Sequence, residues 1–298
     1  MKHALCGGLI LGCVIGAYPV GAQVQPGIPD FSGVWAHPFL GFESPVSGPG
    51  PVRNTSRMPS GQSNGAQMVG DYTNPILKPA AAAIIKKLGE ISMSGHIFPD
   101  PDNQCLQNPV PYIVWNFDTR ILQQKDKITI IYEHDDDYRE VRLNQPHPAK
   151  VIPSVHGDSV GHYEGDTLVI DTIGVRLGPG RSIDRYGTPY TEALHVVERY
   201  RLLDNKAAKE ALERGGKEWQ GLAARVGPNF TGEGMQLEFT VEDPGVFTMP
   251  WKGIITYAAD SNTGWEERIC AENIQHEYAL NVFSDPTPHT PTADKPDF

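Results

Sequence analysis

From about residue 110 onward, the apolar positions of the chain recur with a period of two. The runs 111–117 (PYIVWNF), 127–134 (KITIIYEH), 138–144 (YREVRLN), 158–164 (DSVGHYE) and 166–175 (DTLVIDTIGV) have the pattern of half-buried strands. So do 192–203 (EALHVVERYRLL), 234–243 (GMQLEFTVED), 247–258 (FTMPWKGIITYA) and 265–273 (WEERICAEN), and a shorter candidate, FSGVWAH at 31–37, stands ahead of them. Polar turns separate the runs, most legibly Asp135–Asp136–Asp137 and Glu164–Gly165–Asp166. Sequential hairpins build antiparallel meanders. A long series of them favours a barrel, because closure removes the exposed edges.

Two segments break this period. LKPAAAAIIKKLGEI, residues 77–91, predicts a helix with Pro79 in its first turn and Gly89 near its end. Residues 205–227 predict a charged helical insertion broken at Gly215–Gly216. The stretch 41–66 is rich in Gly, Pro and Ser without apolar periodicity and reads as a long N-terminal loop. Residues 284–298 form a Pro-rich tail expected to be disordered. The expectation is a mainly β chain: one antiparallel barrel domain over 23–283, with a helical insertion and a long N-terminal loop.

The first 22 residues change the compartment rather than the fold. Lys2, an apolar run to Ile15, and Val20–Gly21–Ala22 predict a secretory signal cleaved after Ala22, and so a secreted or periplasmic protein. A lipid anchor at Cys13, preceded by Ile10, Leu11 and Gly12, is the alternative. No later run is long and apolar enough to predict a transmembrane segment. The formal charge of −11 becomes −12 when Lys2 leaves with the signal. A chain this acidic is a poor partner for nucleic acid, which needs a basic surface to displace counterions. Cys105 and Cys270 then remain, and two cysteines in an oxidising compartment predict one disulfide.

Candidate chemistry gathers on the strands. Asp171 interrupts the apolar run of 166–175, and needs either water or a partner. In 192–203, alternation places Leu194, Val196, Glu198 and Tyr200 on one face and His195, Val197, Arg199 and Arg201 on the other. If the first face points inward, Glu198 becomes an acid or base in an apolar barrel. If the second does, His195 carries the proton and Arg199 stabilises negative charge. Arg139 and Arg142 point to opposite faces, and one of them could pair with Asp171 or Glu198 inside. Trp115, Trp251, Tyr132 and His147 are candidate binding residues. The spacing of His156, Asp158 and His162 invites a metal reading, but along a strand the two histidines would stand about 20 Å apart, so no metal is expected. The chain has no phosphate loop, GxSxG, HExxH or GxGxxG.

The combination of DFSGVW, PHP at 146–148, GDSVGHYEGDTLVIDT, EALHVVERYR, EDPGVFTMPW and ERICAEN resembles a broad family of secreted bacterial proteins with GDSxGxxEGDTLVxDT, VERYR and EDP motifs. The positions that fit its pattern are Cys105, His147, Asp166, Asp171, His195, Glu198, Arg199, Asp243, Trp251, Glu267 and Cys270, whereas Tyr163 stands where the family usually has tryptophan. The resemblance implies candidate residues and no reaction. Gly33–Val34–Trp35 is similar to the lipocalin GxW signature, which implies a lipocalin-like barrel and, by analogy of fold, cofactor-independent acid/base chemistry. The expected function is a secreted lyase or isomerase acting on a small aromatic or carbohydrate-derived molecule. His195 or Glu198 would be its base, Arg199 its charge stabiliser, Asp171 its orienting group and Tyr163 its proton donor. The alternative is a non-catalytic binder of a small apolar or aromatic ligand.

Overall fold

Nine strands close into one barrel in the order of the chain: β1 (Gly33–Ala36), β2 (Thr119–Gln123), β3 (Lys127–Tyr132), β4 (Tyr138–Leu143), β5 (Asp158–Glu164), β6 (Thr167–Ile173), β7 (His195–Leu203), β8 (Gly234–Glu242) and β9 (Trp251–Ala259). The computed structural model describes residues 27–39, 41–115, 118–133, 137–178, 182–219 and 231–259. The predicted signal segment, the 265–273 run with Glu267 and Cys270, and the tail lie outside them. β1 completes the closure, pairing with β2 on one side and with β9 on the other through Trp35↔Ala259 and Ala36↔Ala258. No described helix is long and apolar enough to cross a membrane.

The 157–175 stretch forms the hairpin its alternation predicts. β5 and β6 pair from Asp158↔Ile173 to Glu164↔Thr167 across a tight turn at Gly165–Asp166. Gly165 takes φ +64°, a left-handed conformation that glycine adopts without steric cost.

Two expectations need correction. The ladder is not wholly antiparallel, because β4 and β5 run parallel over Val141↔Ser159 to Leu143↔Gly161. The intervening segment 144–157 contains Pro146, Pro148 and Pro153. Proline lacks the N–H a ladder needs, so this segment forms no strand beyond an isolated bridge at Ser154↔Val175 and delivers β5 in the direction of β4. The run 111–117 was expected as a strand, but its described part is a 3-10 turn at Tyr112–Val114. Tyr112, Ile113, Val114 and Trp115 are all buried, so the continuous apolar run reflects burial on every side rather than one face of a sheet. The neighbouring strand, β2, escapes the pattern search because it points Thr119 and Gln123 inward and leaves Leu122 exposed.

The barrel interior is filled with side chains. β7, β8 and β9 turn Val196, Glu198 and Tyr200, Leu237 and Phe239, and Trp251, Ile255 and Tyr257 inward, while β3 and β4 contribute Ile130, Tyr132, Arg139 and Val141. Helix α1 (Pro79–Met93) begins at the proline the sequence marks and buries Ala81, Ile85, Leu88 and Ile91. Helix α2 (Asn205–Glu218) follows β7, and its N-terminus is capped by Asp204, which accepts from the Ala207 backbone N–H at 2.8 Å.

Candidate functional site

The sequence left open which face of β7 points inward; burial of Val196, Glu198 and Tyr200 answers it. Inside, Arg139 meets Glu198 in a two-pronged ion pair, Nη1 to Oε2 at 2.6 Å and Nη2 to Oε1 at 2.8 Å. The Tyr200 hydroxyl donates to Glu198 Oε1 at 2.9 Å. Burial alone would lower the pKa of Arg139, but the Glu198 carboxylate and the surrounding phenols outweigh it and hold the guanidinium charged. Burial also pushes the Tyr132, Tyr200 and Tyr257 hydroxyls well above their ordinary range. The Arg139 and Glu198 side chains are only 2% and 1% exposed, so water and solute do not reach them. Glu198 and Arg139 thus form a closed structural pair with Tyr132 beside it.

On the outer wall the polar side chains form a line across four strands. Arg142 of β4 grips Asp158 of β5 with two hydrogen bonds, at 2.8 and 3.0 Å. His147 of the crossover lies between two carboxylates, Nδ1 at 2.6 Å from Asp158 Oδ1 and Nε2 at 2.9 Å from Asp171 Oδ1. His195 Nε2 takes the other oxygen of Asp171, Oδ2, at 3.0 Å. A single β6 carboxylate therefore serves two imidazoles. Asp171 and His195 face outward, their side chains 37% and 35% exposed.

The electrostatics follow from this geometry. The hydrogen bond from His195 is the main reason the Asp171 carboxyl lies below its ordinary range, with His147 adding to it. Reciprocally, Asp171 raises the His195 pKa above that of a free imidazole. Asp158 is held low chiefly by Arg142. Both nitrogens of His147 are committed to carboxylates. His195 Nδ1 is not: its nearest carboxylate oxygen, Glu242 Oε2, is 3.8 Å away, beyond hydrogen-bond reach. That nitrogen is the loosely held end of the line, and an imidazole fixed at Nε2 by one carboxylate with only a distant second one, Glu242, at Nδ1 is equipped to take up and return a proton.

The candidate residues thus divide among separate places. His195, Asp171, His147 and Arg142 come together outside; Glu198, Arg139 and Tyr132 come together inside. Arg199 is outward but pairs with Glu164 at 2.6 Å, four positions along β7 from His195 and about 13 Å away at strand rise. Tyr163 lies opposite Leu168 on the inward face, half-buried, where burial pushes its hydroxyl up to about 12, and so stands on the other side of the barrel wall from His195. Trp115 and Trp251 are buried in an aromatic cluster rather than offered as a platform. Trp115 packs edge-on against Phe42 at 4.6 Å and Tyr186 at 5.5 Å, and Trp251 against Phe239 at 5.9 Å and Phe247 at 5.7 Å. Cys105 is disulfide-bonded, while its expected partner Cys270 is not among the described residues. The trio weighed as a metal site is dispersed: His156 meets Asp137 at 2.9 Å, His162 meets Glu164 at 3.1 Å, and Asp158 belongs to the outer line.

The sequence pattern marks Asp158 only as a metal ligand, and Glu242 not at all. A signal for Asp158 existed. On the β5–β6 ladder Asp158 faces Ile173 and Asp171 faces Val160, so the two carboxylates are diagonal neighbours on one face and need a cation between them. The His147 ring stands between the two carboxylates, and only the crossover brings it there. No protein-family model, curated protein or solved structure matches this chain.

Proposed function

We propose that the protein is a secreted acid/base enzyme, a lyase or isomerase that moves a proton on a small carbohydrate-derived molecule, with its chemistry on the outer wall of the barrel at His195. One observation carries the reading: the half-exposed Asp171 carboxylate is shared by two imidazoles, and one of them, His195, has its second ring nitrogen, Nδ1, 3.8 Å from the Glu242 carboxylate in a long ion pair rather than in a short hydrogen bond. In this scheme His195 Nδ1 takes a proton from a carbon of the substrate, and the electron pair left behind expels a leaving oxygen or shifts within the molecule. The imidazolium, steadied by Asp171, returns the proton to the leaving oxygen or to a second carbon. Such chemistry requires no cofactor. Asp171, His147, Asp158 and Arg142 act as positioning residues. The lipocalin-like reading, with ligand held inside the barrel, has less support because the interior around Glu198 is filled by Arg139 and aromatic side chains.

The test is turnover on a panel of sugar acids and their oligomers, followed as loss of water or appearance of an unsaturated product by mass spectrometry. His195→Gln should abolish it. Asp171→Asn should retain a fraction and move the rate-determining pKa downward, toward that of a free imidazole. A His195→Gln variant as active as the wild type would end the proposal.

A second reading has its own support. The same line of side chains bridges the parallel β4–β5 pairing, which is only three residue pairs long, and ties the crossover to β6 and β7. On this reading the line is a clamp, and the loss of His147 would lower stability without touching any reaction.

A further inference from the structure

The outer wall carries a second polar feature further along β7. Thr167, Arg199, Arg201, Gln236 and Glu238 line an open pocket of about 270 Å³ on β6, β7 and β8. Their positions follow from the ladder: Arg201 lies opposite Gln236 and Arg199 opposite Glu238. His195, Val197, Arg199 and Arg201 form one outward row of β7, so the pocket continues the wall on which His195 stands.

The charges in the pocket are unequally engaged. Arg199 is held by Glu164 at 2.6 Å, and Glu238 is neutralised by Lys252 at 2.7 Å. Arg201 is exposed and has no ion-pair partner among the described residues. A free guanidinium beside a second one, in a chain whose formal charge is −11, is a local attraction for a single carboxylate, which arginine binds through two parallel hydrogen bonds. The rest of the lining sets the remainder of the ligand. Gln236 both donates and accepts, the Thr167 hydroxyl, which donates to Asp166 Oδ1 at 3.1 Å, can accept, and Glu238 accepts. Together they suit hydroxyl groups and provide no apolar wall for an aromatic body.

We infer that this pocket binds the carboxylate-bearing unit of an acidic sugar chain, with the chain lying along the outer wall of β7 toward His195. The inference rests on the acid/base reading for its biological sense, and it specifies the substrate class. Arg201 anchors the carboxylate, Arg199 assists it, and Gln236 and Thr167 take the ring hydroxyls. The reacting unit then lies about 13 Å from Arg199, the strand distance to His195. Binding energy gained remotely in this way positions the reacting unit without participating in the chemistry.

The experiment is calorimetric titration of the full chain with a galacturonate oligosaccharide and with the neutral galactose oligosaccharide of the same length. The acidic probe should bind at least about tenfold more tightly than the neutral one, as a charge-assisted arginine contact requires. Arg201→Gln should remove that preference, Arg201→Lys should restore part of it, and His195→Gln should leave it intact. Equal binding of the two probes, an unchanged preference in Arg201→Gln, or no binding of the acidic probe would each overturn the inference. Turnover of a neutral sugar that depends on His195 would overturn the pocket assignment and leave the acid/base reading standing. Arg201-dependent binding of the acidic probe without any turnover would do the reverse.

Discussion

Removing the Glu198 carboxylate would leave the Arg139 guanidinium charged and almost wholly enclosed by the barrel. Taking an ion out of water costs several kcal/mol, and here that cost is offset by one partner, bound through both oxygens at 2.6 and 2.8 Å. Breaking a buried pair by deleting one member costs about 3–5 kcal/mol, and the Tyr200 hydroxyl, deprived of its acceptor, adds about 1 kcal/mol. At roughly 2–4 °C per kcal/mol for a domain of this size, Glu198→Leu should lower the Tm by on the order of 10 °C. The double variant Arg139→Met/Glu198→Leu fills similar volume with apolar atoms and leaves no stranded charge, so it should recover most of the loss or exceed the wild type. Urea unfolding with thermal melts of the purified protein reads both. A Glu198→Leu protein that melts with the wild type, or a double variant less stable than the single, would refute the picture of a closed, paired interior.

Four further outcomes follow from particular residues. The hydrogen bond with Asp171 raises the His195 pKa, so by proton NMR Asp171→Asn should bring it down toward the free imidazole value. Because His195 is raised and Asp171 lowered, their mutual stabilisation should be fully present between about pH 4 and 6.5. It should fade above that window as His195 loses its proton and below it as Asp171 gains one. Glu43, buried against Thr256, has its carboxyl pushed up to about 7 by burial. The folded state then holds a proton the unfolded chain has released, so stability should fall as pH rises from about 4.5 to about 7, and Glu43→Gln should flatten that slope in denaturant titrations at stepped pH. Gly161 sits where β5 meets β4, and a Cβ there would lie 2.9 Å from Val141 Cγ1 and 3.1 Å from the Val169 carbonyl. Gly161→Val should therefore cost about 1–3 kcal/mol by prising open the parallel seam, measurable as a lowered urea midpoint.

Much of the barrel was legible in the sequence, for an identifiable reason in each place. The β5–β6 hairpin could be read because alternation and a Gly–Asp turn agree with each other. The strand nature of 192–203 was equally clear, but its inward face was not, since each face carries both apolar and ionisable side chains. Only packing shows that Glu198 finds Arg139 inside while His195 finds Asp171 outside. β2 was hidden because two of its three inward positions, Thr119 and Gln123, are polar and only Ile121 is apolar, and the Gln123 side chain is used to bind backbone at Phe31 and Pro29 rather than to fill core. The parallel seam was hidden because a loop sequence does not state the direction in which it returns the chain. The outer line depends on that return: His147 is within reach of Asp158 and Asp171 only because residues 144–157 cross the barrel wall. The candidate residues were thus largely visible, and their division between an enclosed pair and an open line was not.

The most direct measurement compares two proteins that remove one cluster each, His195→Gln outside and Arg139→Met/Glu198→Leu inside. Each is incubated with the sugar-acid panel in deuterated water and followed by mass spectrometry for deuterium uptake or loss of water. With the chemistry at His195, the folded double variant should react as the wild type does and His195→Gln should not. Reaction surviving in His195→Gln, or lost in a double variant that remains folded, would place the chemistry inside the barrel and contradict the assignment to His195.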